Sequence, residues 1–293
     1  MFTKYDGALA PVVRWLNVKK KILTFLVYML YLTLFLLPGY FAGWQYEFSI
    51  LTVFILFYVG YMAYELRKAV KLAISDHGID VLNASTRYDC VTYIDLVAKV
   101  NALCKAHNIQ KPVCLKLTHS LGVCGAGVTA LPEEYNIYLS PEVLHLPEHE
   151  IDFIIGHEFG HVVNNDMQLN VRGRIVNILF LLHVGFVSLA DLNSIYLLFF
   201  SAITVVLLFF MNGFNERCRE YLADIFSVQL NETTLGAECH FKRIFSSYFN
   251  SDNCRRRYIV QSFLLQSHPL PERRLAFIEK LRLLIDRNVK LLG

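Results

Sequence analysis

The sequence predicts a mainly α membrane protein, in which two transmembrane helical hairpins accompany a cytoplasmic α+β region with a short edge sheet. Three observations lead there. Of 293 residues, 55% are hydrophobic and only 18% charged, and the mean hydropathy is +0.39. Soluble domains usually carry nearer a quarter charged residues, so the surplus apolar mass calls for lipid. Four apolar runs approach the length of a bilayer crossing, and basic residues gather at their ends on one side only.

The first two runs, 22–37 and 48–64, contain no charged residue. Between them Pro38, Gly39 and Gly43 break the helix, and Tyr40, Phe41 and Trp44 suit a membrane interface. The second pair, 175–190 and 195–211, is joined by the polar turn Asp191-Leu-Asn-Ser194. Each run falls a little short of the ~20 residues that span a bilayer, and neutral flanks extend it. Two competing readings apply. Lys19-Lys20-Lys21 before an apolar run also opens a signal peptide, although no small-residue cleavage site follows. The second pair also fits a buried hairpin of a soluble core, in which His183 is a packed residue.

Orientation follows from charge. Lys4, Arg14 and Lys19–Lys21 precede the first run, and Arg67, Lys68 and Lys71 follow the second. Arg172 and Arg174 precede the third, and Arg217 and Arg219 follow the fourth. Neither connecting turn holds a Lys or Arg, so both termini and the central region are expected in the cytoplasm. This divides the chain into an N-terminal segment and hairpin (1–66), a central region (67–174), a second hairpin (175–211) and a C-terminal helical region (212–293). The net charge of +3 is too small for nucleic-acid binding. The seven cysteines contain no C-x-x-C pair and are odd in number, which predicts reduced thiols.

Within the central region, apolar positions at helical spacing predict an amphipathic helix over 91–107. Val113–Leu117 and Tyr135–Leu139 read as short strands. From Pro147 a helix begins, with Glu148, Glu150 and Asp152 placed to favour the positive end of its dipole. The C-terminal region reads as largely helical.

That helix carries Gly156-His-Glu-Phe-Gly-His161. His157 and His161 are four apart, so both imidazoles lie on one face and can reach one metal ion. Glu158 is rotated by about 100° from His157, which sets its carboxylate beside the ion as a general base rather than a ligand. Random shuffling of this composition yields the pattern roughly 0.02 times per chain. The competing reading is two surface histidines on a packed helix. A catalytic site needs a third ligand and an open position. Glu220-Tyr-Leu-Ala-Asp224 offers one: Glu220 can bind the ion, while Asp224, one turn on, can accept a hydrogen bond from a ligating histidine. Alternatively, both are surface carboxylates paired with Arg217 or Arg219.

In these motifs the chain resembles the HtpX-type membrane zinc peptidases, relatives of the CAAX prenyl proteases. The matching residues are His157-Glu-Phe-Gly-His161, Asn165-Asp166-Met167, Glu220-Tyr-Leu-Ala-Asp224 and His268-Pro-Leu-Pro-Glu-Arg-Arg274. The order of elements agrees as well. The resemblance implies a zincin-like catalytic domain with one Zn²⁺ per chain, held by His157, His161 and Glu220, with Glu158 as base and Asp224 orienting a ligand. It implies that His268 and Arg274 stabilise the developing oxyanion or anchor the site; otherwise this segment is a Pro-rich entry into a helix. It further implies misfolded or damaged membrane proteins as substrates, in quality control at a bacterial-type inner membrane.

The chain departs from this family at Val123-Cys-Gly-Ala-Gly-Val-Thr-Ala130, where an Asn-Ala-Phe-Ala-like segment is usual at the substrate-binding edge. The departure motivates an alternative, a non-enzymatic zinc-containing membrane module that binds client proteins. Glu158 argues against it, because a structural site needs no carboxylate beside an open position.

Overall fold

The computed structural model describes residues 4–42, 60, 90–118, 125–131, 133–166, 195–249 and 269–292. They form six helices around a small sheet: α1 (Lys4–Ala42), α2 (Cys90–Ala106), α3 (Glu148–Val163), α4 (Ile195–Asn231), α5 (Leu235–Phe249) and α6 (Pro271–Leu292), with strands β1 (Val113–Leu117), β2 (Ala126–Ala130) and β3 (Tyr135–Leu139). The result is a helical protein with a small three-stranded sheet, consistent with a zincin-like domain.

Strand order is β1-β3-β2, with β1 parallel and β2 antiparallel to β3. The central strand is buried at all five positions, so its sequence Tyr-Asn-Ile-Tyr-Leu need not alternate. β1 and β3 coincide with the two strands expected from sequence. Helix α2, one residue displaced from its expected bounds, packs on β1. Asn108 ends it at φ 52°, a left-handed position that asparagine tolerates better than most residues.

A short 3₁₀ turn, Pro141–His145, leads from β3 towards α3. Pro147 precedes the first residue of α3, and Glu148 and Glu150 lie in its first turn. Glu150 does more than favour the dipole: it is buried, and Arg243 of α5 holds it with two bonds of 3.0 and 2.6 Å. Replacing water around that carboxylate with a bidentate guanidinium ties α3 to α5.

Helices α3 and α4 cross closely because small residues meet at the crossing. A Cβ on Gly160 would sit 3.1 Å from Ala223 Cα, and one on Gly156 would sit 2.5 Å from Ser227 Oγ. Ser227 in turn donates to the Phe153 carbonyl at 2.7 Å. Phe159, Ile155, Ile225 and Phe241 fill the fully buried core beside this contact. Each such side chain contributes about 1.5–3 kcal/mol by leaving water. Helix α1 packs along α4 and α6, burying Leu9 and Leu16, and Asn215 of α4 donates to Thr24 at 3.4 Å.

Among the residues described in full, no helix is long and apolar enough to cross a membrane. The expected spans 48–64, Gly60 apart, and 175–190 lie outside the described residues, as do most side chains of 22–37 and 195–211. The backbones of those last two runs are continuous helix within α1 and α4, and α1 carries on through Pro38 and Gly39 to Ala42, so the break expected at those two residues does not occur. The described cysteines, Cys104, Cys114, Cys218 and Cys239, are free thiols.

Candidate metal centre

The close crossing of α3 and α4 has a direct chemical result. It brings Glu220 of α4 between the two imidazoles of α3. Glu220 Oε2 lies 3.5 Å from His157 Nε2, and Oε1 lies 3.5 Å from His161 Nε2. The rings of His157 and His161 stand 4.8 Å apart and nearly perpendicular, at 86°. Ligand atoms of the three residues all fall within 4.8 Å of one another, and all three side chains are buried. Glu158 is buried on the same helix.

Each histidine has its second nitrogen engaged. His157 Nδ1 lies 3.0 Å from Asp224 Oδ1, and His161 Nδ1 lies 3.1 Å from Asp166 Oδ2. A carboxylate at Nδ1 favours the proton there and leaves Nε2 as the ligand atom; at His157 the Arg274 Nη2 group also stands 3.2 Å from Nδ1 and 3.4 Å from Nε2. The carboxylates are themselves held. Arg274 of α6 donates Nε to Asp224 Oδ2 at 2.9 Å and Nη2 to Oδ1, and its Nη1 stands 3.3 Å from Glu220 Oε2. The guanidinium also lies over the Phe241 ring, 4.5 Å from its centroid.

The electrostatics ask for positive charge between the ligands. Burial alone would lower both imidazoles. For His161, hydrogen bonds to Asp166 and Glu220 and the charges of Glu220 and Glu158 outweigh burial, and the imidazole is pushed up to about 10. For His157, burial and the Arg274 charge oppose bonds to Asp224 and Glu220, and the net shift is upward. Burial would raise the Asp224 carboxyl, but the Arg274 charge and the contact with His157 hold it below the usual carboxylate range. Without a metal, protons on the histidines balance the surrounding carboxylates. A divalent cation satisfies the same demand, so two imidazoles and one carboxylate fit zinc in donor type, number and charge.

The structure thus brings together His157, His161, Glu220, Glu158, Asp224 and Arg274, all singled out from the sequence. Glu220 and Asp224 are buried, and both meet His157 and Arg274 instead of standing at the surface. His268 lies outside the described residues. His107, whose side chain is exposed, sets its ring against Phe159 and Phe226. Sequence reasoning quoted Asp166 but gave it no role. Its position depends on Asn165, whose φ of 52° turns the chain back towards His161 after α3 ends. The Asn165-Asp166 pair directly after the metal helix was the available signal.

Two imidazoles a turn apart, a carboxylate from a second helix and a flanking small sheet define a metallopeptidase of the zincin kind. The chain belongs to Peptidase family M48, whose model matches residues 126–282, more than half of its length. M48 peptidases are zinc metalloproteases. No curated protein and no solved structure matches the chain.

Proposed function

We propose that this protein is a membrane-bound, zinc-dependent endopeptidase of the HtpX type, cleaving misfolded or damaged membrane proteins at the cytoplasmic face. The convergence of His157, His161 and Glu220, with Glu158 on the same buried helix, carries the reading. The apolar runs and one-sided basic flanks support the membrane setting.

His157 and His161 would hold the ion through Nε2, and Glu220 through its carboxylate. Bound there, zinc supplies a Lewis acid that polarises the scissile carbonyl and acidifies water. Asp224 and Asp166 keep the Nδ1 protons in place and so fix both rings. Glu158 takes the proton from the attacking water and delivers it to the leaving amine. Arg274 anchors the site: its guanidinium is spent on Asp224 and Glu220, which favours holding the ligands over meeting the oxyanion. β2, which contacts α3 at one side of the sheet, offers backbone groups to an extended peptide. Its segment Ala126–Ala130 forms a regular strand in spite of the departure from the family pattern, and Glu158, buried on the metal helix, supports catalysis over a client-binding module.

Glu158→Gln tests the mechanism. The detergent-solubilised variant should bind zinc as the wild type does and lose cleavage of an unfolded substrate such as casein. Undiminished cleavage by the zinc-loaded variant would refute Glu158 as the base.

A further inference from the structure

Helix α1 lies outside residues 126–282, which match the family, yet it reaches the metal centre. Its inward face buries Leu9 and Leu16, and Lys20 follows Leu16 one turn later. Lys20 Nζ stands 2.8 Å from Asp166 Oδ1, with little of its side chain exposed. The other oxygen of Asp166 is the one that meets His161 Nδ1 at 3.1 Å. Lys20, Asp166 and His161 form an unbroken polar chain from α1 to a metal ligand.

Asp166 is fully buried, and a carboxylate in that position needs a paired cation. Two cations approach it. Arg219 Nε is 3.7 Å away, and this arginine gives Nη1 to Glu216 at 2.7 Å. Lys20 supplies the close contact. Its neighbours point elsewhere: Lys19 lies over the Trp15 ring at 4.9 Å, and Lys21 is exposed. A membrane-flanking role accounts for Lys19 and Lys21, but not for a lysine turned inward onto a buried carboxylate.

We infer that Lys20 is a positioning residue of the metal centre, acting through Asp166 to fix the orientation of His161. Without Lys20, the Asp166 carboxylate swings towards Arg219, and Oδ2 leaves His161 Nδ1. The ring then loses the contact that aims Nε2 at the ion. The inference rests on the metallopeptidase reading above and adds to it an element that the family match does not include.

The test uses the full chain in detergent, with zinc affinity measured by competition against a chromophoric chelator and Co²⁺ absorption as a probe of ligand geometry. A direct partner of a metal ligand, such as Asp166, usually contributes about 10–100-fold in affinity, so Lys20→Met, one step further out, should weaken zinc about tenfold and shift the cobalt band. Lys20→Arg should restore most of the affinity, and Lys21→Met should match wild type. Affinity within twofold of wild type for Lys20→Met, or a loss that Lys20→Arg does not restore, would overturn the inference. Should Lys20→Met fail to fold, Asp166→Asn removes the stranded charge. In that background Lys20→Met should cause no further loss of zinc, and an additional loss would count against the inference. A wild type that binds no zinc would instead sink the metallopeptidase reading itself.

Discussion

Substituting Gly156 by alanine perturbs the metal centre without touching a ligand. The added Cβ would lie 2.5 Å from Ser227 Oγ and 3.1 Å from Ser227 Cα and Cβ. Carbon atoms in comfortable contact sit about 3.5–4.0 Å apart, so α3 and α4 must separate by about 0.5–1 Å where they cross. Metal–ligand distances tolerate about 0.2 Å. The ligands sit on both sides of this crossing, His157 beside Gly156 and Glu220 two turns before Ser227. The substitution should therefore damage the site more than the fold. Overpacking costs about 1–3 kcal/mol, and alanine returns up to about 1 kcal/mol of helix propensity. Thermal melting of the metal-free protein should fall by a few degrees. Zinc affinity, measured by chelator competition, should fall at least about tenfold, since misplacement by 1 Å can cost about 100-fold at an active site. Wild-type zinc affinity in a folded Gly156→Ala protein would show that this crossing does not set the ligand spacing.

Two further outcomes follow from the same contacts. Asp224→Asn replaces the charged acceptor of His157 Nδ1 with a weaker, neutral amide oxygen and leaves Arg274 buried with one carboxylate fewer. Zinc affinity should drop about 10–100-fold and unfolding free energy by about 3–5 kcal/mol, measurable by chelator competition and denaturant titration. Zinc loading should also be coupled to protons. His161 in the metal-free protein keeps its proton until pH rises to about 10, and a ligating imidazole must be neutral. Loading at pH 7 should therefore release at least one proton, and apparent affinity should climb about tenfold per proton for each pH unit below that value. An indicator dye in weak buffer reads this directly, and zinc uptake with no acidification would contradict the charge balance described for the two histidines.

The parts of this protein that a linear pattern encodes were legible in the sequence. His157 and His161 are a helical turn apart, and nothing but a helix is needed to bring them together. The strands Val113–Leu117 and Tyr135–Leu139 showed themselves by their β-branched, aromatic and leucine side chains. β2 did not, because Ala126-Gly-Val-Thr-Ala130 is made of small residues, and its pairing with β3 rather than its own propensity holds it extended. Glu220 was recognisable as a candidate through its spacing to Asp224, but its placement between the histidines depends on the crossing of α3 and α4. The role of Asp166 follows from a left-handed turn at Asn165, which periodicity does not reveal. Lys20 was the least legible. Three consecutive lysines before an apolar run look alike in sequence, and only the rotation of α1 about its axis separates the one facing inward from the two that do not.

The third ligand rides on a rod. Helix α4 runs unbroken through 37 residues, a length of about 55 Å, and Glu220 lies about 14 Å beyond the end of the apolar run 195–211. No loop stands between the two to absorb movement. A lean of about 10° in the rod, pivoting at residue 211, would carry Glu220 sideways by roughly 2 Å, some ten times what a coordination shell forgives. Whatever medium surrounds the upstream stretch of α4 therefore governs, through simple leverage, whether the carboxylate arrives on target.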